Sequence, residues 1–270
     1  MKIGNKNFSI GSRTFIVGIL NITPDSFYDG GIYNSPETAV KQAIKLAEDG
    51  ADIIEIGGES SRPGFTPISA DEEISRVLPV LQRLMKEVDV PISVDTCKAA
   101  VAEAALESGA SMINDVCCFK RDPDLPSVCA KYKAVCCVMH NRNNMHYNNL
   151  FLDVMIDITN GVNLLTDAGV HSGDIIIDPG IGFAKTVQDN LAIMRNLSFF
   201  TAYEYPVMVG TSRKSFIGKS LGLAAEDRLE ATLATTALAI SQHCSFIRVH
   251  DVYENKRAAM MADEIIRSRH

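Results

Sequence analysis

The chain has 270 residues, 46% hydrophobic and 22% charged, a make-up that fits a folded globular protein and excludes a disordered or fibrous one. A net charge of −7 supplies no general field for a nucleic-acid backbone or an anionic membrane surface, and no apolar run approaches the roughly 18 residues of a membrane span, so the expected partner is a small molecule. Seven cysteines, odd in number, with two adjacent doublets and no CxxC spacing, predict reduced thiols packed as small apolar residues in a cytoplasmic protein.

In chain order, residues 1–13 read as a short N-terminal β-hairpin, and 14–265 as one continuous barrel, with nothing linker-like to divide the 270 residues into more than a single domain. Short Val- and Ile-rich runs then recur at Thr14–Ile19, Ile53–Ile56, Ile92–Val94, Met112–Ile113, Ala134–Met139, Ile175–Ile177, Val207–Val209 and Phe246–Val249. Amphipathic stretches with apolar spacings of three and four lie between them, among them Ser35–Asp49, Ala70–Glu87, Lys98–Glu107 and Ala224–Gln242. Pro36 suits a helix start, and Gly50 and Gly109 suit stops. Near-continuous apolar strands are buried on both faces and need crossover helices, so eight such units predict a (β/α)8 TIM barrel, an α/β fold. An open doubly wound sheet is the alternative.

Each run is followed by residues able to do chemistry: Asn21 to Phe27, Gly57 to Gly64, Asp95-Thr96, Asn114-Asp115, His140 to Arg142, Asp178 to Phe183, Gly210 to Ser215, and Arg248 to Asp251. A barrel would gather all of these on its C-terminal face, where barrel enzymes build their sites. Asp95, Asn114 and Asp178 form a carboxylate and amide group suited to a heterocycle edge with paired N–H donors; the structural alternative is that they cap the following helices. Arg62, Arg213, Lys214, Arg248 and His250 form a cationic group in an acidic chain and point to a bound anion such as a diphosphate, although any one of them, Arg213 above all, could be an ordinary surface charge. A Schiff-base role for Lys214 would require an amine desolvated away from other cations. The two long glycine-rich loops after the first and second runs read as lids, with Pro24, Phe27 and Pro63 able to wall an apolar slot.

Seven of these stretches, taken in register, resemble the motifs of dihydropteroate synthases: Gly18 to Phe27, Gly57 to Gly64, Ser93 to Thr96, Ile113 to Asp115, Asp178 to Phe183, Ser212 to Gly218 and Arg248 to Asp251. The resemblance implies condensation of a dihydropterin pyrophosphate with para-aminobenzoate, with Asp95, Lys214, Arg248 and Asn21 at the chemistry. It implies pterin contacts from Asp95, Asn114, Asp178, Lys214 and Arg248, and pyrophosphate contacts from Asn21, Arg62, Arg248 and His250. Para-aminobenzoate would meet Phe27, Ser61, Arg62, Pro63, Phe183, Lys214 and Ser215, and a Mg2+ cofactor would sit at Asn21. A homodimer is implied as well. Departures from the pattern are slight: Ser61 stands where Thr is commoner, Thr211 where Leu is frequent, and Cys117-Cys118 where Trp or Gly is commoner. The pterin domain of corrinoid methyltransferases and a non-catalytic pterin-binding module are the rival readings; the first needs no diphosphate cluster, and the second would not require Asn21, Arg62 and His250 together.

Overall fold

The computed structural model describes residues 1–22, 36–60 and 66–267. A hairpin of β1 (Lys2–Ile3) and β2 (Lys6–Asn7) leads into β3 (Phe15–Asn21), α1 (Pro36–Glu48), β4 (Ile53–Gly57), α2 (Ala70–Glu87), β5 (Ile92–Asp95), α3 (Ala99–Glu107) and β6 (Met112–Asp115). The chain continues through α4 (Leu125–Tyr132), β7 (Val135–Met139), α5 (Leu150–Asp167), β8 (Ile175–Asp178), α6 (Val187–Arg195) and α7 (Ser198–Thr201). It ends with β9 (Met208–Val209), α8 (Ser215–Leu221), α9 (Leu229–Ser241), β10 (Phe246–Val249) and α10 (Val252–Arg267).

Every large-sheet pairing is parallel, in the order β8-β7-β6-β5-β4-β3-β10-β9. A bridge between Ile177 and Val207, with the Ile177 N–H donating to Pro206 O at 3.0 Å, joins the two ends of the sheet and makes it a barrel. The expected (β/α)8 architecture is therefore the observed one, and the doubly wound alternative falls.

Strand parity divides the core in two. Outward side chains such as Ile16, Ile54, Val94, Ile113, Val138 and Ile177 join the helices in the larger cluster. Inward ones, including Val17, Ile53, Met112, Val135, Ile176 and Phe246, fill the lower barrel together with Ile3 and Phe8 of the hairpin. The hairpin, polar in its sequence, thus plugs the N-terminal end: the Phe8 ring meets Phe15 edge-on with centroids 4.8 Å apart.

The helix expected over Ala224–Gln242 begins only at Leu229. Arg228 accounts for the delay. Its guanidinium donates to Leu223 O at 2.9 Å and to Arg213 O at 3.0 Å and lies against Gly218, so the segment before it is held as a turn.

Candidate active site

Above the apolar lower layer the inward positions turn polar. Register links Asn21 to Gly57, Gly57 to Asp95 and Asp95 to Asn114, so four adjacent strand tips present one inner row. Gly57 matters here because a Cβ on it would project between Asp95 Cβ and Asn21 Oδ1, 3.6 and 3.9 Å away. Asn114 is buried, and its Oδ1 has no hydrogen-bond partner among the described residues. The neighbouring Asp115 points outward, where its two carboxylate oxygens each accept a backbone N–H, from Cys117 and Phe119 at 2.6 Å; it is a turn-former and no member of the inner row.

Arg248 rises from β10 into the same space. Its Nε donates to Glu55 Oε1 at 2.5 Å and its Nη2 to Asp95 Oδ2 at 3.1 Å. Burial, followed by the Glu55 carboxylate, pushes Asp95 well above the usual carboxylate range, and Arg248 opposes them. Glu55 is the member that sequence reasoning missed. It is buried, accepts from Ser93 Oγ at 3.4 Å, and its signal was a single charge inside Ile53–Gly57 at the same parity as Gly57.

Asp178 ends β8, and the sequence after it forces a tight turn. Asp178 Oδ1 accepts from the Gly180 N–H at 2.7 Å, while Gly180 and Gly182 take φ of +69° and +85°. A Cβ on Gly180 would lie 2.0 Å from His140 O, so only glycine fits. Burial raises the Asp178 pKa, against the nearby Lys214. Lys214, at the N-cap of α8, donates to Ile181 O, and its Nζ stands 4.6 Å over the Phe183 ring. Burial lowers this amine to about 8, with Asp178 opposing.

His250 is oriented by Ser212, whose Oγ lies 3.0 Å from Nδ1 and accepts the His250 N–H at 3.2 Å. Nε2 is thereby placed on the far side of the ring. Arg213 departs from the cationic group. Its guanidinium makes a two-point contact with Asp251 at 2.7 and 2.9 Å and donates to Glu226 O at 2.7 Å, so it braces the loop. Ser215 opens α8 and is exposed. Pro24, Phe27, Ser61, Arg62 and Pro63 lie outside the described residues, with most of the first lid segment and the middle of the second.

Behind the Asp178 turn, Lys185 is buried and reaches His140 Nδ1 at 2.8 Å, Gly180 O at 3.0 Å and Phe183 O at 3.1 Å. His140, lowered to about 3 chiefly by burial and then by Lys185, stays neutral and accepts at Nδ1. Lys185 gave no sequence signal, since a loop lysine is ordinarily solvated. Burial lowers it from its ordinary 10.5 to about 7, so above neutrality the native state holds fewer protons than the unfolded chain. Stability from this group therefore rises with pH between those values, by up to about 1.4 kcal/mol per unit. Urea denaturation of the wild type should gain on Lys185→Met as pH is raised through this window; parallel pH profiles would contradict the assignment.

All seven cysteines are free, and all but the half-buried Cys117 are buried, in line with their expected packing. No described helix is long and apolar enough to cross a membrane.

A family model described as pterin binding enzyme matches residues 17–250. A dihydropteroate synthase of Clostridium beijerinckii is 52% identical over 268 residues, covering 99% of this chain and all of the relative. A crystal structure of the Clostridium difficile dihydropteroate synthase, solved in the presence of pteroic acid, superposes with a TM-score of 0.93 at 44% identity, covering 97% of this chain and 100% of that one. The Xanthomonas albilineans dihydropteroate synthase, solved with 4-aminobenzoic acid, superposes with a TM-score of 0.91 at 36% identity, covering 96% and 95%.

Proposed function

The chain belongs to the dihydropteroate synthases of the pterin-binding enzyme family, and from that premise we propose that Asp95, Asn114, Asp178 and Lys214 hold the pterin while Arg248 and His250 face its diphosphate. It is a transferase of folate biosynthesis: it joins 6-hydroxymethyl-7,8-dihydropterin pyrophosphate to para-aminobenzoate, giving 7,8-dihydropteroate and pyrophosphate.

The observation that carries the residue assignment is the buried, unanswered Oδ1 of Asn114, in register with Asp95. An unsatisfied buried acceptor costs about 1–3 kcal/mol, which a ligand N–H would recover. Acceptors on Asp178 and Asn114 suit the amino-pyrimidinone edge of a pterin, with the ring lying above the apolar lower barrel.

In the chemistry we propose, the C–O bond from the pterin methylene breaks with its electron pair leaving on the diphosphate. The positive charge spreads into the ring, the arylamine nitrogen attacks the methylene to form the new C–N bond, and its surplus proton passes to water or to the released pyrophosphate. Arg248, His250 and Arg62 receive the growing negative charge, and the Asp95 and Glu55 carboxylates face the growing positive charge. No covalent intermediate on a side chain is needed. Phe183, Lys214 and Ser215, with Phe27, Ser61, Arg62 and Pro63 from the loops, line our proposed para-aminobenzoate site; the contact of Lys214 with Phe183 supports it, as does the aminobenzoate bound by the Xanthomonas relative. The test is a pyrophosphate-release assay. Release is expected only when both substrates are present, and release from the pterin substrate alone at the same rate would overturn condensation as the activity.

We propose Mg2+ at Asn21. The amide oxygen on the inner row suits a hard cation that takes few protein ligands and fills its shell with phosphate oxygens and water. When bound, the ion would neutralise charge on the departing diphosphate. Asn21→Ala should raise the Mg2+ needed for half-maximal rate by about 10-fold or more, and an unchanged Mg2+ titration would remove Asn21 from the site.

Homodimer assembly is proposed through the last helices, supported by exposed Leu238 on α9 and Met260, Met261 and Ile265 on α10. The free thiols support a cytoplasmic location.

A further inference from the structure

One cluster at the rim takes no part in the chemistry above. Cys97 lies two residues beyond the Asp95 tip, and Cys117 two residues beyond Asp115. The two sulfurs and an Asp115 carboxylate oxygen all lie within 4.8 Å of one another. We propose that Cys97, Cys117 and Asp115 form a binding site for a thiophilic divalent cation of the Zn2+ class, on the outer side of the β5 and β6 tips.

The three groups are held in place before any ion arrives. The Thr96 N–H donates to Asn114 O at 3.1 Å and ties the two tips together. Both Asp115 oxygens are fixed by the Cys117 and Phe119 N–H groups, and each keeps a further lone pair for a metal. The turn after Asp115, held on its carboxylate by the Cys117 and Phe119 N–H groups, contains two successive residues in the left-handed region, Cys118 at φ 60° and Phe119 at φ 56°. Neither is glycine, so side-chain packing maintains a costly backbone there: Cys118 and Phe119 are both buried.

The donor set selects the ion. Two thiolates and one carboxylate suit Zn2+ or Cd2+ in a tetrahedron completed by water, and they discriminate against Mg2+. Asp115 is fully buried and Cys97 is 7% exposed, whereas Cys117 is half-buried and is the one of the three that solvent reaches. Three negative ligands with a divalent ion leave one negative charge. Arg121, paired with Glu59 at 3.3 Å, is also within electrostatic reach of both sulfurs. Because Asp115 and Asn114 point to opposite faces of β6, an ion here would clamp the tips that carry Asp95 and Asn114 without touching the barrel interior.

The test uses the chelator-stripped full chain, titrated with Cd2+ and followed by thiolate-to-metal charge-transfer absorbance, with Zn2+ measured by competition against a chromophoric chelator. One equivalent should bind with a Kd of roughly 1 µM or tighter. Cys97→Ser and Cys117→Ser should each weaken it about 100-fold, whereas Cys129→Ser/Cys136→Ser, at two buried thiols that neighbour each other on α4 and β7, should leave it unchanged. Circular dichroism of each variant checks folding. X-ray absorption of the Zn2+-loaded wild type, which needs no variant, should show two sulfur ligands at about 2.3 Å. Binding lost with Cys129→Ser/Cys136→Ser instead, a zinc shell without sulfur, or wild-type affinity equal to that of Cys117→Ser would each overturn the proposal.

Discussion

Arg248→Ala is expected to abolish turnover and, separately, to destabilise the fold by about 3–5 kcal/mol. The guanidinium is the charge partner of both Glu55 and Asp95, whose side chains are 1% and 10% exposed. Removing it leaves two carboxylates facing each other in a water-poor space, so at least one must take up a proton or the barrel mouth must open. The loss should therefore be smaller at low pH, where protonation of Asp95, already pushed up by burial and by Glu55, relieves the repulsion. Thermal or urea denaturation across pH would show this. A variant as stable as the wild type near neutrality would mean that Arg248 does not anchor the two carboxylates, and Arg248→Lys should restore part of the stability while recovering little of the two-point geometry.

Asp178→Asn should fold normally and lose about 100-fold or more in kcat/KM. The amide oxygen can still accept from the Gly180 N–H, the bond that shapes the Pro179–Gly182 turn, so the backbone has little reason to move. Two functional features are lost. A carboxylate that could answer two parallel N–H donors becomes a group with one acceptor and one donor, and Lys214 loses the negative neighbour that supports its charge. The Lys214 amine should then titrate lower still, moving the alkaline limb of the rate profile toward acid. Steady-state kinetics over pH measures both, and near wild-type turnover would remove Asp178 from substrate recognition.

The barrel was legible in the sequence because its strands are apolar on both faces, and runs such as Ile175–Ile177 have few other uses. That same property hid Glu55. In a strand with no polar alternation, nothing marks which parity faces inward, and one glutamate among isoleucines gives no direction until the register with Ser93 is seen. Asp95, Asn114, Asp178, Lys214 and Arg248 were legible because polar residues at strand tips share one rim whatever the helix details. Arg213, which the sequence left open between anion ligand and ordinary charge, pairs with Asp251, a partner 38 residues on that adjacency to Lys214 does not encode. The Lys185–His140 contact joins residues 45 apart across two loops, a separation that no local pattern encodes.

The most direct test of the inner row is a crystal structure of the protein with the dihydropterin diphosphate, Mg2+ and para-aminobenzoate. The amino-pyrimidinone edge should lie against Asp178 and Asn114, with an N–H reaching the orphaned Asn114 Oδ1, and the diphosphate should lie beside Arg248 and His250. A pterin ring settled elsewhere, with Asn114 Oδ1 still unpaired, would contradict the assignment of that row to substrate recognition.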